Sequence, residues 1–137
     1  MDIELLTKEQ IFFIHNEAII NFGGEPGFDN STYGKIESIL DQQFSHFGYE
    51  KYPSIFDKAA MLLYFFAKDH CFKDGNKRVA LYAVVVFLDI NGYETTFDND
   101  EAELVTYAAA QDKSKGIIVD QYIDKLSNWL YSQTIKK

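Results

Sequence analysis

Apolar positions in this chain recur mainly at helical spacing, and turn residues cut the pattern into six segments. Thr7 and Gln10 form a Thr-x-x-Gln capping box, and Ile11, Phe12, Ile14, Ala18, Ile19 and Phe22 follow three or four apart, which predicts a first helix. Gly23-Gly24 ends it and Pro26-Gly27 turns the chain. A second helix is expected from Asn30 or Ser31 to about Gln43, burying Ile36, Ile39 and Leu40. Residues 44–53 break the period. Gly48, Pro53 and the alternation of Phe47, Tyr49 and Tyr52 with polar residues predict an exposed loop or short hairpin. Ser54, with Asp57 three positions on, opens a helix from Ile55 to about Lys68. Ala59, Ala60, Met61, Leu62, Leu63, Phe65 and Phe66 make it apolar on most of its circumference, so it belongs in the middle of the fold.

Periodicity alone leaves Val84-Val85-Val86 as strand or helix. Length decides for helix, because the stretch from Gly75 to Asn91 is continuous, free of proline and closed by Asn91-Gly92. Tyr93–Phe97 reads as a short extended piece. Asp98 with Glu101 resembles a second capping box, for a helix reaching about Gln111, and a last helix runs from about Ile118 to Gln133. No repeat, low-complexity stretch or linker interrupts the chain. The expected fold is all-α, a single bundle of about six helices over residues 1–137.

Composition narrows the function classes. A length of 137 residues suits one domain that buries roughly two thirds of its unfolded surface. Twelve Phe and nine Tyr predict an aromatic core. The net charge of −8 argues against nucleic acid as a direct partner, since phosphate backbones need basic patches. The single Cys forbids an intrachain disulfide and agrees with a reducing cytoplasm. The start, Met1-Asp2-Ile3-Glu4, lacks a signal peptide's charge and apolar stretch, and the longest apolar run, Val79–Leu88, is too short to cross a bilayer. A cytoplasmic protein without a membrane partner is expected.

Candidate chemistry sits in His70-Cys71-Phe72-Lys73-Asp74-Gly75-Asn76-Lys77-Arg78, between two apolar segments. Polar residues this dense are expensive there unless a ligand uses them. A helix starting at Gly75-Asn76 aims its free N–H groups outward, a ready anion site. Gly75 admits close approach, Asn76 can cap or bond a phosphate oxygen, and Lys77 and Arg78 add charge. Asp74 suits Mg²⁺, which takes one or two carboxylates plus substrate phosphates. His70 can accept a hydroxyl proton near neutral pH. Together these describe phosphoryl or nucleotidyl transfer to a hydroxyl. Phe72 reads as a core anchor for the loop, Cys71 as a small buried hydrophobe and Lys73 as solvated. His15 and His46 read as structural. Zinc is disfavoured, since His70, Cys71 and Asp74 lack a fourth ligand.

The string His70-x-Phe72-x-Asp74-Gly75-Asn76-x-Arg78 resembles the Fic/Doc (Fido) motif, His-x-Phe-x-(Asp/Glu)-Gly-Asn-x-Arg. Gly23-Gly24-Glu25-Pro26-Gly27, Asn76-Lys77-Arg78-x-Ala80-Leu81 and Phe87-Leu88-x-x-Asn91-Gly92 look like its death-on-curing (Doc) toxin branch. The resemblance implies the helical Fido fold. It also implies His70 as general base, Asp74 as Mg²⁺ ligand, and Gly75, Asn76, Lys77 and Arg78 on the phosphates of ATP. The family's main activity is AMP transfer to a protein hydroxyl. Lys77 stands where the wider family usually has Gly, and Leu81 where it has a second Arg. Doc proteins share both departures, which implies reversed ATP binding and transfer of the γ-phosphate to a threonine of elongation factor Tu. The segment with Phe47, Tyr49 and Tyr52 falls at the family's target-docking flap, where strand addition is expected. The family's self-inhibiting Ser/Thr-x-x-x-Glu-Gly/Asn motif does not occur, so restraint is expected from a separate antitoxin protein. Three functions stand at this point: a toxin kinase, a Fic-type AMP transferase, and a catalytically silent binding module with the same fold.

Overall fold

The computed structural model describes residues 2–137. Six helices run in the order α1 (Lys8–Phe22), α2 (Thr32–Asp41), α3 (Ile55–Lys68), α4 (Asn76–Ile90), α5 (Asn99–Gln111) and α6 (Ile117–Ser132). Their starts follow from capping chemistry. In α1 and α3 the N-cap hydroxyls of Thr7 and Ser54 accept the N3 backbone N–H, and the side chains of Gln10 and Asp57 reach back to the caps. The Asp98 cap differs from expectation. Its carboxylate accepts from the backbone N–H of Asp100, and Glu101 instead accepts the Trp129 indole N–H at 3.0 Å.

Helix α3 is the axle. Every residue from Lys58 to Tyr64 is buried, and α2, α4, α5 and α6 all pack on it. Such a residue gains roughly 1.5–3 kcal/mol for each large apolar side chain it removes from water. Helix α4 lies against α3, α1 and α5, and buries Val79, Ala80, Ala83, Val84, Phe87 and Leu88. The valine run is therefore helical, as length argued. Among the described residues, no helix is long and apolar enough to cross a membrane.

Two short strands complete the fold, β1 (Tyr93–Thr95) and β2 (Thr134–Lys136), paired antiparallel with Tyr93 opposite Lys136 and Thr95 opposite Thr134. The second strand was not expected. The last helix stops at Ser132, and β2 returns to pair with the connection after α4.

The segment 44–53 is a tight turn. His46 and Tyr49 exchange both backbone hydrogen bonds, at 2.8 and 2.9 Å, around Phe47 and Gly48. Both central residues have positive φ, 53° and 78°, as a two-residue turn matching strand twist requires. Phe47 and Tyr49 are exposed at its tip. Tyr52, however, is only 5% exposed and belongs to the core, which corrects its assignment to a docking surface. The cause is Lys58, buried at 2%, whose ammonium donates to the carbonyls of Gln43 and Tyr52 and to Glu50 Oε1. A buried cation must be fully partnered, and satisfying it draws both feet of the turn inward.

Candidate active site

The loop from His70 to Gly75 joins the two central helices, and its backbone is tied at every residue. Helix α3 stops because His70 adopts φ 51°, a left-handed conformation uncommon for a side-chain-bearing residue. Two residues one turn apart on α2 hold that bend: Lys35 Nζ donates to the His70 carbonyl (3.2 Å) and Thr32 Oγ1 to the Cys71 carbonyl (2.6 Å). The Asn76 amide spans Phe72, accepting its N–H at 3.0 Å and donating to its carbonyl at 2.9 Å. Lys73 N–H donates to the Gly27 carbonyl, and His15 Nε2 lies 3.0 Å from the Asp74 carbonyl. Gly75 N–H donates to Asp74 Oδ1 at 2.8 Å.

Beneath this backbone sit the residues read as packing. Phe72 is buried, stacked parallel on the His15 imidazole with ring centres 3.8 Å apart and edge-on to Phe12. Cys71 is buried, and desolvation pushes its thiol up to about 12, so it is no nucleophile. Burial likewise lowers the pKa of His15, against the opposing pull of the Asp74 carbonyl and carboxylate.

Above it lie the polar groups. Asp74 is exposed, with Oδ2 accepting the Glu25 N–H at 3.1 Å and Oδ1 that of Gly75. Those two backbone donors hold its carboxyl below the usual carboxylate range, with Lys77 and His15 adding to the pull. Gly24 permits the arrangement: a Cβ there would stand 2.8 Å from Asp74 Oδ2. Gly75, at φ 79° and ψ 12°, caps α4 in a left-handed conformation, and the backbone N–H groups of Asn76, Lys77 and Arg78 find no acceptor among the described residues. These three amides open on a cleft of about 660 Å³ between α1, α4 and α5, a volume typical of small-molecule sites.

The cleft brings together Asp74, Gly75, Asn76, Lys77, Arg78 and Leu81, with Asp100, Glu103 and Tyr107 of α5 on the facing wall. Arg78 rests its guanidinium 4.1 Å over the Phe22 ring. His70 is exposed and stands outside the lining of this cleft. Asn76 contributes differently from expectation, since Phe72 engages both ends of its side-chain amide and its free group is the backbone N–H. Lys73 is exposed. Among the described residues no three His, Cys, Asp or Glu side chains gather as a metal cage. A single ionised carboxylate beside free amides instead fits a cation that arrives with its own phosphate ligands.

Of the residues that secure the loop, Thr32 and Lys35 carried no readable signal, and Gly24 and Glu25 were legible only as a helix end and part of a Doc-like string, because each acts on a partner about 35 to 50 positions away in the chain.

A tightly bound loop of this composition, capping a buried helix, agrees with a family model described as the Fic/DOC family, which matches residues 5–88. The chain belongs to the Fic/DOC family. It is similar to the protein kinase doc of Escherichia phage P1, 33% identical over 116 residues that cover 84% of this chain and 90% of that protein. It is also similar to the toxin Doc of Mycolicibacterium smegmatis (strain ATCC 700084 / mc(2)155), 40% identical over 113 residues, 80% of this chain and 83% of that one. The matched region of the Fic/DOC model runs from before α1 almost to the end of α4, so it contains every group that fixes the His70–Gly75 loop.

Proposed function

We propose that this chain is a Doc-type toxin that transfers the γ-phosphate of ATP to a Ser or Thr hydroxyl of a target protein, with a translation elongation factor as the target class. The observation that carries the reading is the start of α4. Three unpaired amides, an ionised Asp74 and two exposed cations converge at one end of a nucleotide-sized cleft. ATP and Mg²⁺, when bound, supply the phosphoryl group and neutralise its charge. The chain's own residues then divide the work. Asp74 holds the cation, and the amides of Asn76 to Arg78 with the Lys77 and Arg78 side chains grip the phosphates. His70 takes the target hydroxyl's proton as the oxygen–phosphorus bond forms and ADP departs. Backbone ties at every position from 70 to 75 support this role, since such catalysis depends on positioning.

Lys77 and Leu81 favour phosphate transfer over AMP transfer. The lysine side chain occupies space that a glycine would leave to an α-phosphate, and Leu81, on the cleft lining, offers no second cationic grip. The name of the relative protein kinase doc supports the same choice, and that of toxin Doc supports the toxin role. The turn with Phe47 and Tyr49 is the candidate docking point for the target, without Tyr52. Control is assigned to a separate antitoxin. Incubation with labelled ATP tests the core of the proposal: γ-label should pass to protein and α-label should not. Transfer of α-label would make the protein an AMP transferase. Growth arrest that persisted in His70→Ala would leave only a binding role.

A further inference from the structure

We propose that His15 is a positioning residue for Asp74 and the first turn of α4. This inference rests on the transferase reading for its kinetic arm only. The Asp74 carbonyl can only accept, so the 3.0 Å contact requires Nε2 of His15 to carry a proton and donate. The ring has one further contact of consequence, a parallel stack on Phe72 with planes 4° apart. Its own position is set by burial on α1, with the buried Ile11 and Ala18 one helical turn to either side. The imidazole therefore reads two points of the loop at once, the Phe72 ring and the Asp74 carbonyl two residues later.

That second point matters because the Asp74 carbonyl belongs to the peptide whose N–H is Gly75. Fixing this peptide plane aims the Gly75 N–H at Asp74 Oδ1, and with it the orientation of the carboxylate. Gly75 also passes closely: a Cβ on it would lie 3.8 Å from His15 Cδ2. The His15 side chain thus sets where the carboxylate points and where the free amides of α4 begin, although it touches neither ligand nor target. None of Thr32, Lys35 or Asn76 reaches this peptide, so no neighbour duplicates the contact.

Two substitutions separate the contacts. His15→Phe keeps an aromatic ring for Phe72 and deletes the donor; His15→Gln keeps an amide donor in place of Nε2 and deletes the stack. Expected for His15→Phe are a kcat lowered about 10-fold with the KM for the protein target unchanged, and faster hydrogen exchange at the Gly75 amide without nucleotide. His15→Gln should recover kcat to within about 3-fold of the parent and keep Gly75 protected. The inference is overturned if Gly75 exchange is the same in the parent and His15→Phe, or if both variants lose activity only in step with their melting temperatures. Exchange reads the contact whether or not the chain transfers phosphate. A parent protein without transferase activity would sink the proposed function while leaving this inference to be decided by Gly75.

Discussion

Gly24→Ala should damage the site through one atom. Gly24 has φ 113°, and the added methyl carbon would stand 2.8 Å from Asp74 Oδ2 and 3.2 Å from Ile19 Cδ1. Ordinary contact begins near 3.4 Å, so the carboxylate must retreat by about 0.6 Å. Its oxygens are pinned by the N–H groups of Glu25 and Gly75, and retreat breaks or stretches the first of these. A displacement of about 1 Å in a catalytic group costs about 10²-fold in rate, so this one should cost on the order of 10-fold. Backbone strain from an alanine at positive φ adds about 1–2 kcal/mol of destabilisation, or a melting point lower by about 3–6 °C. Gly27→Ala supplies the control. Its φ is 111°, yet its nearest neighbour is Lys73 Cδ at 4.0 Å, so it carries the same class of strain without the push. Both variants should melt at similarly lowered temperatures, while phosphate transfer and Mg²⁺ affinity, measured by calorimetry with a nonhydrolysable nucleotide, should fall about 10-fold further in Gly24→Ala. Equal activity in the two variants would refute the claim that the Gly24 loop seats the Asp74 carboxylate for catalysis.

Other perturbations follow from the same contacts. His70→Ala should reduce transfer by about 10²–10⁴ without lowering the melting temperature, since the imidazole is exposed. Thr32→Val deletes the hydroxyl that donates to the Cys71 carbonyl; chemical denaturation should show a loss of about 1–3 kcal/mol. Lys58→Met leaves the carbonyls of Gln43 and Tyr52 without their donor, and protease cleavage in 44–53 should accelerate at least several-fold. Asp112 has its pKa lowered chiefly by the Ser114 hydroxyl and then by Tyr64. A depressed carboxyl stabilises the fold above its unfolded pKa and loses that contribution as pH falls through the folded value. Thermal melts should therefore be flat from about pH 5 to 8 and drop below about pH 4, and Tyr64→Phe should shrink that drop.

What the chain disclosed in advance was local. The capping pairs Thr7/Gln10 and Ser54/Asp57 act across three residues, so they can be read directly. The buried circumference of α3 and the start of α4 at Gly75 were legible for the same reason. The errors lie where distant residues decide. Tyr52 alternates with polar neighbours like an exposed residue, but the buried Lys58 ammonium pulls its carbonyl inward. Strand β2 exists only because Tyr93–Thr95, some forty residues earlier, offers a free edge. Glu101 forgoes its cap for the Trp129 indole on α6. The motif named the chemical groups of the site, but not the α1 and α2 side chains that hold them, because those contacts close only in three dimensions.

Strand β2 has a practical consequence for studying the protein. Lys137 N–H donates to the Gly92 carbonyl, so the chain after β2 is fastened at the C-terminal end of α4. With about 1.5 Å of rise per residue over a helix of 15 residues, that point stands roughly 20 Å from Gly75. A dye or immobilisation handle attached after position 137 would therefore report on the molecule from the end remote from the loop. The same handle placed at the turn around Phe47 would sit on the surface proposed to meet the target.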